Sequence, residues 1–292
     1  MKMNASERQA LRQRIIATIG ILLAVAAIFV IGESSPALAQ SQASTILVTG
    51  SNRGIGFAFV EGYAERGWKV IATCRTPAKA DDLQALAKAN PNIVIEELDV
   101  TDDREIEALA DKYRDTPIDI LMNNAGILPA MVPVTFDTVD YEKMDRVLAV
   151  NTWGPAKISA AFIDQVAASG QRTIVTMTSG EGSLGKARGG AYHYRVSKVA
   201  VNMMMLLMSR DVADRGVIVG LINPGLVDTQ GLLEVDLETI PEAMRGPVER
   251  MRTNPNMRTP RQAVEILIPL IDGLTLETSG VFLDISGEVL PW

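Results

Sequence analysis

The chain has 292 residues, 47% of them hydrophobic, and a formal net charge of -7. That is enough apolar material for one large α/β domain with a short appendage; it excludes global disorder, and the acidic balance argues against a nucleic-acid partner. A single cysteine, Cys74, and a single histidine, His193, rule out an intrachain disulfide and a cysteine-ligated metal site. They leave zinc unsupported and give a Ser-His-Asp hydrolase only one base to draw on.

Charge is unevenly spread. Lys2, Arg8, Arg12 and Arg14 against Glu7 give residues 1–14 a balance of +3, so the remainder carries -10. From Ile15 to Ile31 the chain is uncharged and apolar on every face, and Ala37-Leu38-Ala39 precedes Gln40. A basic start, an apolar run and small residues are the order of a secretory leader cut before Gln40. Retained, the same run is a membrane anchor that puts the following domain across the membrane. Residues 1–39 are therefore expected to be a signal peptide or an anchor, with membrane contact through 15–31 and an exported or membrane-bound location. A start codon set too far upstream is the third alternative, and it leaves a cytoplasmic protein. Residues 40–44 read as a linker and 45–292 as the domain.

From residue 45 strands and helices alternate. The run 45–49 (TILVT) is a short β-branched strand, and it leads into Thr49-Gly50-Ser51-Asn52-Arg53-Gly54-Ile55-Gly56 and then a helix to about 66. Glycines spaced TGxxxGxG allow a tight turn and close approach of backbone to a pyrophosphate, while the helix N-terminus supplies N–H groups and the positive dipole end. No GK[ST] follows, so this is not a P-loop. Gly50 to Gly56 are the candidate dinucleotide-binding turn.

A second strand, 68–73, ends in Thr73-Cys74-Arg75. An acidic residue at this place holds a ribose 2′-hydroxyl. Arg75 instead suits a 2′-phosphate, since a guanidinium grips phosphate in a fork, and Arg53 adds a second cation on the same side. NADP(H) is expected over NAD(H), with Cys74 a small packed residue. Helix 81–90, strand 93–98, helix 103–113, strand 118–122, a long helix beginning at 141, strand 172–177, helix 194–210, strand 217–222, helix 261–270 and strand 281–285 complete the pattern. Repeated β-α units with apolar strands give one Rossmann-type domain, a doubly wound parallel sheet with helices on both faces. Residues 228–258, rich in Pro, Met and charge, read as an irregular mobile insertion that shapes the substrate pocket together with 127–140.

The helix at 194 opens Tyr194-Arg195-Val196-Ser197-Lys198, so Tyr194 and Lys198 share one face. A nearby ammonium favours phenolate and brings a tyrosine toward proton exchange near neutral pH, as acid for carbonyl reduction or base for alcohol oxidation. Tyr192 lies on a different face. Met203-Met204-Met205 and Met208 read as core or as packing between copies, and His193 as a neighbour of the site.

In this order the motifs resemble the short-chain dehydrogenase/reductase family, over about residues 44–292. The likeness includes Asn123-Asn124-Ala125-Gly126 after the fourth strand, Asp99-Val100 after the third, Asn151 in the following helix and Thr178-Ser179 after the fifth. It extends to Asn223-Pro224-Gly225 with Val227 and Thr229 after the sixth. Thr73-Cys74-Arg75 and the closing GEVLPW look like the carbonyl reductases of the sniffer and C-factor types.

The resemblance implies hydride transfer between NADP(H) and a small carbonyl or alcohol, without a metal. Tyr194 would be the proton donor and acceptor. Lys198 would bind the nicotinamide ribose and lower the Tyr194 pKa, Ser179 would hydrogen-bond the substrate oxygen, and Asn151 would hold a water in a proton relay. Asp99 and Val100 would meet the adenine. Asn124, Ala125 and Gly126 would shape the middle of the cofactor site, and Pro224, Gly225, Val227 and Thr229 its nicotinamide end. A homodimer or homotetramer is implied as well. Ser179 lies 15 residues before Tyr194, longer than the commonest family spacing, and Ser183 lies 11 before. A glycine-rich loop can absorb the difference, and Ser179 is preferred because it ends the strand directly. The alternative function is a dinucleotide-binding redox sensor or signalling protein with little turnover.

Overall fold

The computed structural model describes residues 43–129 and 134–292. The expected leader or anchor at 1–39, residues 40–42 of the linker and 130–133 of the pocket segment lie outside the described residues. Among the described residues no helix is long and apolar enough to cross a membrane.

The strands are β1 (Thr45–Thr49), β2 (Lys69–Cys74), β3 (Ile93–Glu97), β4 (Ile120–Asn123), β5 (Thr173–Met177), β6 (Ile218–Asn223), β7 (Leu226–Val227), β8 (Met257–Arg258) and β9 (Phe282–Asp284). The helices are α1 (Gly54–Glu65), α2 (Asp81–Ala89), α3 (Asp103–Lys112), α4 (Tyr141–Leu148), α5 (Gly154–Ala161), α6 (Ile163–Ala167), α7 (Tyr192–Asp211), α8 (Glu242–Arg252) and α9 (Pro260–Asp272). Seven strands form one parallel sheet in the order β3-β2-β1-β4-β5-β6-β9, and β7 pairs with β8 apart from it.

The central strands are largely apolar because both of their faces are covered, while edge strand β3 carries Glu96 and Glu97. In β1, Ile46 and Val48 enter one core with Phe59, Val60 and Tyr63 of α1 and Val264 and Leu267 of α9, while Leu47 enters the other. That second core takes Ile106 and Leu109 of α3, Ile158 of α5, and Val201 and Met205 of α7. Period-two alternation thus persists inside a run that reads as uniformly hydrophobic.

The sheet order reverses between β1 and β4, which opens a crevice at their carboxyl ends. The two strand ends are pinned to each other there. Thr49 Oγ1 accepts from the backbone N–H groups of Asn124 and Ala125, each at 3.0 Å, and Asn124 Nδ2 donates to the carbonyls of Thr49 at 2.9 Å and Gly50 at 3.2 Å. Gly50 turns out of β1 at φ +70°, and a Cβ there would lie 2.9 Å from Ala125 Cα.

Three features differ from the sequence reading. The long helix from 141 is interrupted by a π-helical turn at Ala149–Trp153, which places Asn151. Helix α7 begins at Tyr192, two residues early, with Ala191 before it in the left-handed region at φ 51°. Residues 228–258 are not irregular throughout, since they hold α8 and β8. Gly246 and Pro247, both poor helix formers, stand inside α8; Glu242 in its first turn and Arg250 and Arg252 in its last match the dipole.

Gly56 opens the pinned corner from below: a Cβ would sit 2.2 Å from the Gly50 carbonyl oxygen and 2.4 Å from Asn124 Nδ2. Gly56→Ala is expected to destabilise the domain by about 1–3 kcal/mol, lowering the thermal midpoint by several degrees. An unchanged midpoint in calorimetry would remove the close-approach argument.

Candidate active site

A cleft of about 460 Å³ runs across the carboxyl ends of β1, β4 and β5. Of the residues expected from sequence, Gly50, Asn52, Arg53, Gly54, Ile55, Arg75, Asp99, Val100, Asn124, Ala125, Gly126, Tyr194, Lys198, Pro224 and Thr229 line it. Four others do not. Ser51 is fully buried beneath the turn, its Oγ donating to the Val48 carbonyl at 2.8 Å and its N–H to the Thr73 carbonyl at 2.9 Å, so it secures the turn and does not face the cleft. Gly56 packs against the Gly50 carbonyl. Gly225, at φ +74°, bends the chain into β7, and Val227 spends its backbone on the pairing with β8. Cys74, Leu98, Ile127, Leu128, Val150, Met177, Thr178 and Gln230 also line the cleft. Ile127, Leu128 and Gln230 fall in the segments 127–140 and 228–258 expected to shape the pocket and Thr178 in the Thr178-Ser179 motif; strand-end position is the one signal that marks Cys74, Leu98 and Met177.

At one end the cleft is built for anions. The first turn of α1 carries no acidic residue, and Arg53 at its N-cap makes no side-chain cap, so the open N–H groups keep their positive end free. Arg53 and Arg75 are both exposed, and neither takes part in an ion pair among the described residues. Asp99 turns its carboxylate to Thr101, accepting from the backbone N–H at 2.9 Å and from Oγ1 at 2.7 Å.

At the other end lie the groups that can move a proton. The Ser179 hydroxyl lies close enough to the Tyr194 phenol to favour its ionised form. Ser183 is engaged elsewhere, its Oγ donating to the Pro291 carbonyl at 2.6 Å and accepting from the Lys186 N–H at 3.1 Å. Lys198 is buried one helical turn beyond Tyr194; its Nζ donates to the Met177 carbonyl at 2.9 Å and lies 5.7 Å from the centre of the Tyr194 ring. Asn151 accepts from the Ile127 N–H at 2.8 Å and donates to the Ile127 carbonyl at 2.9 Å and to Ser197 Oγ at 3.1 Å. Both its donors are used, which leaves one acceptor lone pair for a water. His193 is turned away, with Nε2 2.9 Å from the Asp140 carbonyl.

The proton affinities differ from the sequence expectation. Burial pushes the Tyr194 phenol above the ordinary tyrosine value, the Ser179 hydroxyl works against this, and the charge of Glu181 adds to it. Lys198 aims its amine at Met177, and burial brings its own pKa down to about 8. Without a bound ligand the phenol is therefore held protonated at neutral pH. Among the described residues no cluster of acidic, histidine or cysteine side chains could hold a metal ion.

The family model described as short chain dehydrogenase matches residues 44–238. The chain belongs to the short-chain dehydrogenase family. It is 34% identical to 1-hydroxy-2-glutathionyl-2-methyl-3-butene dehydrogenase of Rhodococcus sp. (strain AD45), over 85% of this chain and all of that one. The solved NADPH-bound carbonyl reductase from chicken fatty liver is similar to this dehydrogenase at 30% identity and a TM-score of 0.73, covering 86% of this chain and 100% of that one. The carbonyl reductase Sniffer of D. melanogaster is similar at 26% identity and a TM-score of 0.71, with the same coverage.

In this dehydrogenase the buried amine carries a stability cost with a defined pH window. Lys198 is depressed from 10.5 to about 8 on folding. The unfolded chain therefore binds the extra proton between those values, and stability rises with pH across that window. Lys198→Met should raise the stability of the cofactor-free protein at pH 7 by about 1–3 kcal/mol. The gain should shrink as pH climbs through 8 toward 10.5. Denaturant titrations at pH 7 and pH 10 check it, and a gain independent of pH would refute the cause.

Proposed function

We propose that the protein is an NADP(H)-dependent carbonyl reductase, an oxidoreductase that reduces a small ketone, aldehyde or quinone. One observation carries the reading: a cleft that has at one end an open helix terminus and two arginines without an ion pair among the described residues has Tyr194 and buried Lys198 at the other, with Ser179 next to Thr178 of its wall. The residues present fit the cofactor. Gly50 and Gly54 let the backbone close on a pyrophosphate, and the start of α1 faces it. Arg53 and Arg75 would hold the 2′-phosphate, and Lys198 the nicotinamide ribose. The similar chicken carbonyl reductase is solved with NADPH bound, which supports the reading.

NADPH, when bound, supplies the hydride. The chain supplies the rest: Tyr194, protonated at neutral pH, gives its proton to the carbonyl oxygen, and Ser179 hydrogen-bonds the same oxygen as charge develops on it. Lys198 sets a cation beneath both. Asn151 fixes the Ile127 backbone at the cleft wall and has one acceptor left for the water that resupplies the proton. Val196, Met203, Met204 and Leu207 of α7 are partly or well exposed, and this face is proposed to pair copies of the chain.

Tyr194→Phe should retain NADPH binding and lose about 100-fold or more of the reduction rate. Ser179→Ala should cut turnover far more than Ser183→Ala, whose hydroxyl is spent on Pro291. The reverse ranking in steady-state kinetics would reassign the serine. Separately, Arg75→Ala should weaken NADPH binding by about 10-fold or more while leaving NADH binding within about 3-fold. Equal loss for both nucleotides in a fluorescence titration would end the 2′-phosphate assignment.

A further inference from the structure

We propose that Glu181 is a positioning residue for the proton transfer: clamped by Arg195 and Arg188, it fixes the Ser179 turn onto the helix of Tyr194 and keeps a negative charge beside the phenol. This rests on the reading of Tyr194 and Ser179 given above.

The geometry is a clamp. β5 delivers Ser179, and the 3-10 turn Gly180–Gly182 follows. Ser179 Oγ accepts from the Glu181 N–H at 3.2 Å. The Glu181 carboxylate then pairs with Arg195, the residue after Tyr194 on α7. One residue thus ties the turn of Ser179, through its backbone, to the helix of Tyr194, through its carboxylate. From below, Asn202 holds the same turn, accepting from Thr178 Oγ1 at 2.6 Å and donating to the Gly182 carbonyl at 3.2 Å. There is no slack in the seat: a Cβ on Gly182 would lie 3.0 Å from the Lys198 backbone.

The two ion pairs are unequal. Arg188 is 75% exposed and meets Glu181 at 2.9 Å, a contact that solvent weakens. The Arg195 side chain is 12% exposed, and its Nε is buried without a partner among the described residues. Glu181 is the counter-charge of a sheltered cation, and losing it leaves that cation exposed to its full desolvation cost. Other charges nearby do not replace it. Lys198 points to Met177, His193 to Asp140, and Asp284 of β9 is taken by Asn223, which lies under Gly180. The Glu181 charge raises the Tyr194 pKa, which favours the proton-donating form.

The test uses the full chain, NADPH and 4-nitrobenzaldehyde as probe, with kcat and kcat/KM followed against pH and tyrosinate absorbance titrated in the cofactor-free protein. Glu181→Gln should keep NADPH affinity, lower kcat by about 10-fold, and move both the alkaline limb and the Tyr194 titration to lower pH. Arg195→Lys should retain more of the rate than Arg195→Gln. An unmoved pH profile in Glu181→Gln, whether or not kcat falls, overturns the inference. It leaves the parent reading standing if Tyr194→Phe has lost turnover. Turnover that survives Tyr194→Phe overturns both.

Discussion

The reactive end of this protein depends on where the amine of Lys198 is held. It is buried, and its one protein partner is the Met177 carbonyl at the end of β5. That bond sets the rotation of α7 against the sheet. With Lys198 fixed, Tyr194 one turn earlier must face the cleft. Ser197 must meet Asn151, and His193 must fall on the opposite side, against Asp140. The same burial that orders the helix makes the amine a reluctant cation. The site therefore pays in stability for a charge it needs.

The nucleotide end poses the inverse problem. The chain is acidic overall, at -7, and repels a multiply charged dinucleotide at long range. Attraction has to be local. Among the described residues Arg53 and Arg75 stay unpaired at the cleft, and the first turn of α1 has neither cap nor carboxylate to quench its dipole. Each would be a small defect in a helix or surface selected for stability alone. Thr49 and Asn124 cross-brace the ends of β1 and β4 so that the turn keeps its shape around these unsatisfied groups.

Much of this was legible from the amino acids because it is local. Glycines at 50 and 54 mark backbone at positive φ, and the apolar strands mark a sheet covered on both faces. Tyr194 and Lys198 share a face at any helix phase. What escaped is set by tertiary structure. Ser51 sits within a cofactor motif yet faces inward, since the turn needs its hydroxyl on Val48. Helix α8 escapes because Gly246 and Pro247 fall inside it. The π-helical turn that aims Asn151 at Ile127 has no sequence signature, as one extra residue per turn is a packing outcome. The lowered tyrosine pKa expected from the Tyr–Lys spacing did not appear either, because the spacing does not tell which way the amine points.

These features combine into one thermodynamic argument. In the free protein Lys198 is short of partners, two arginines face solvent without carboxylates, and a helix terminus is open. A ligand with a pyrophosphate, a 2′-phosphate and a ribose answers all three, so binding should stabilise the fold by more than mass action on a neutral pocket of this size would suggest. The segment after β7 is coupled to the same event. Thr229 packs over Gly54 in the phosphate turn, and Asp228 beside it collects the N–H groups of Gln230, Leu232 and Leu233, while Arg252 of α8 donates to Leu232 and Val235. The segment 228–235 is thus fastened to the glycine turn and to α8 through side chains in contact, so order at the nucleotide end should be passed to this segment and the cofactor should bind first.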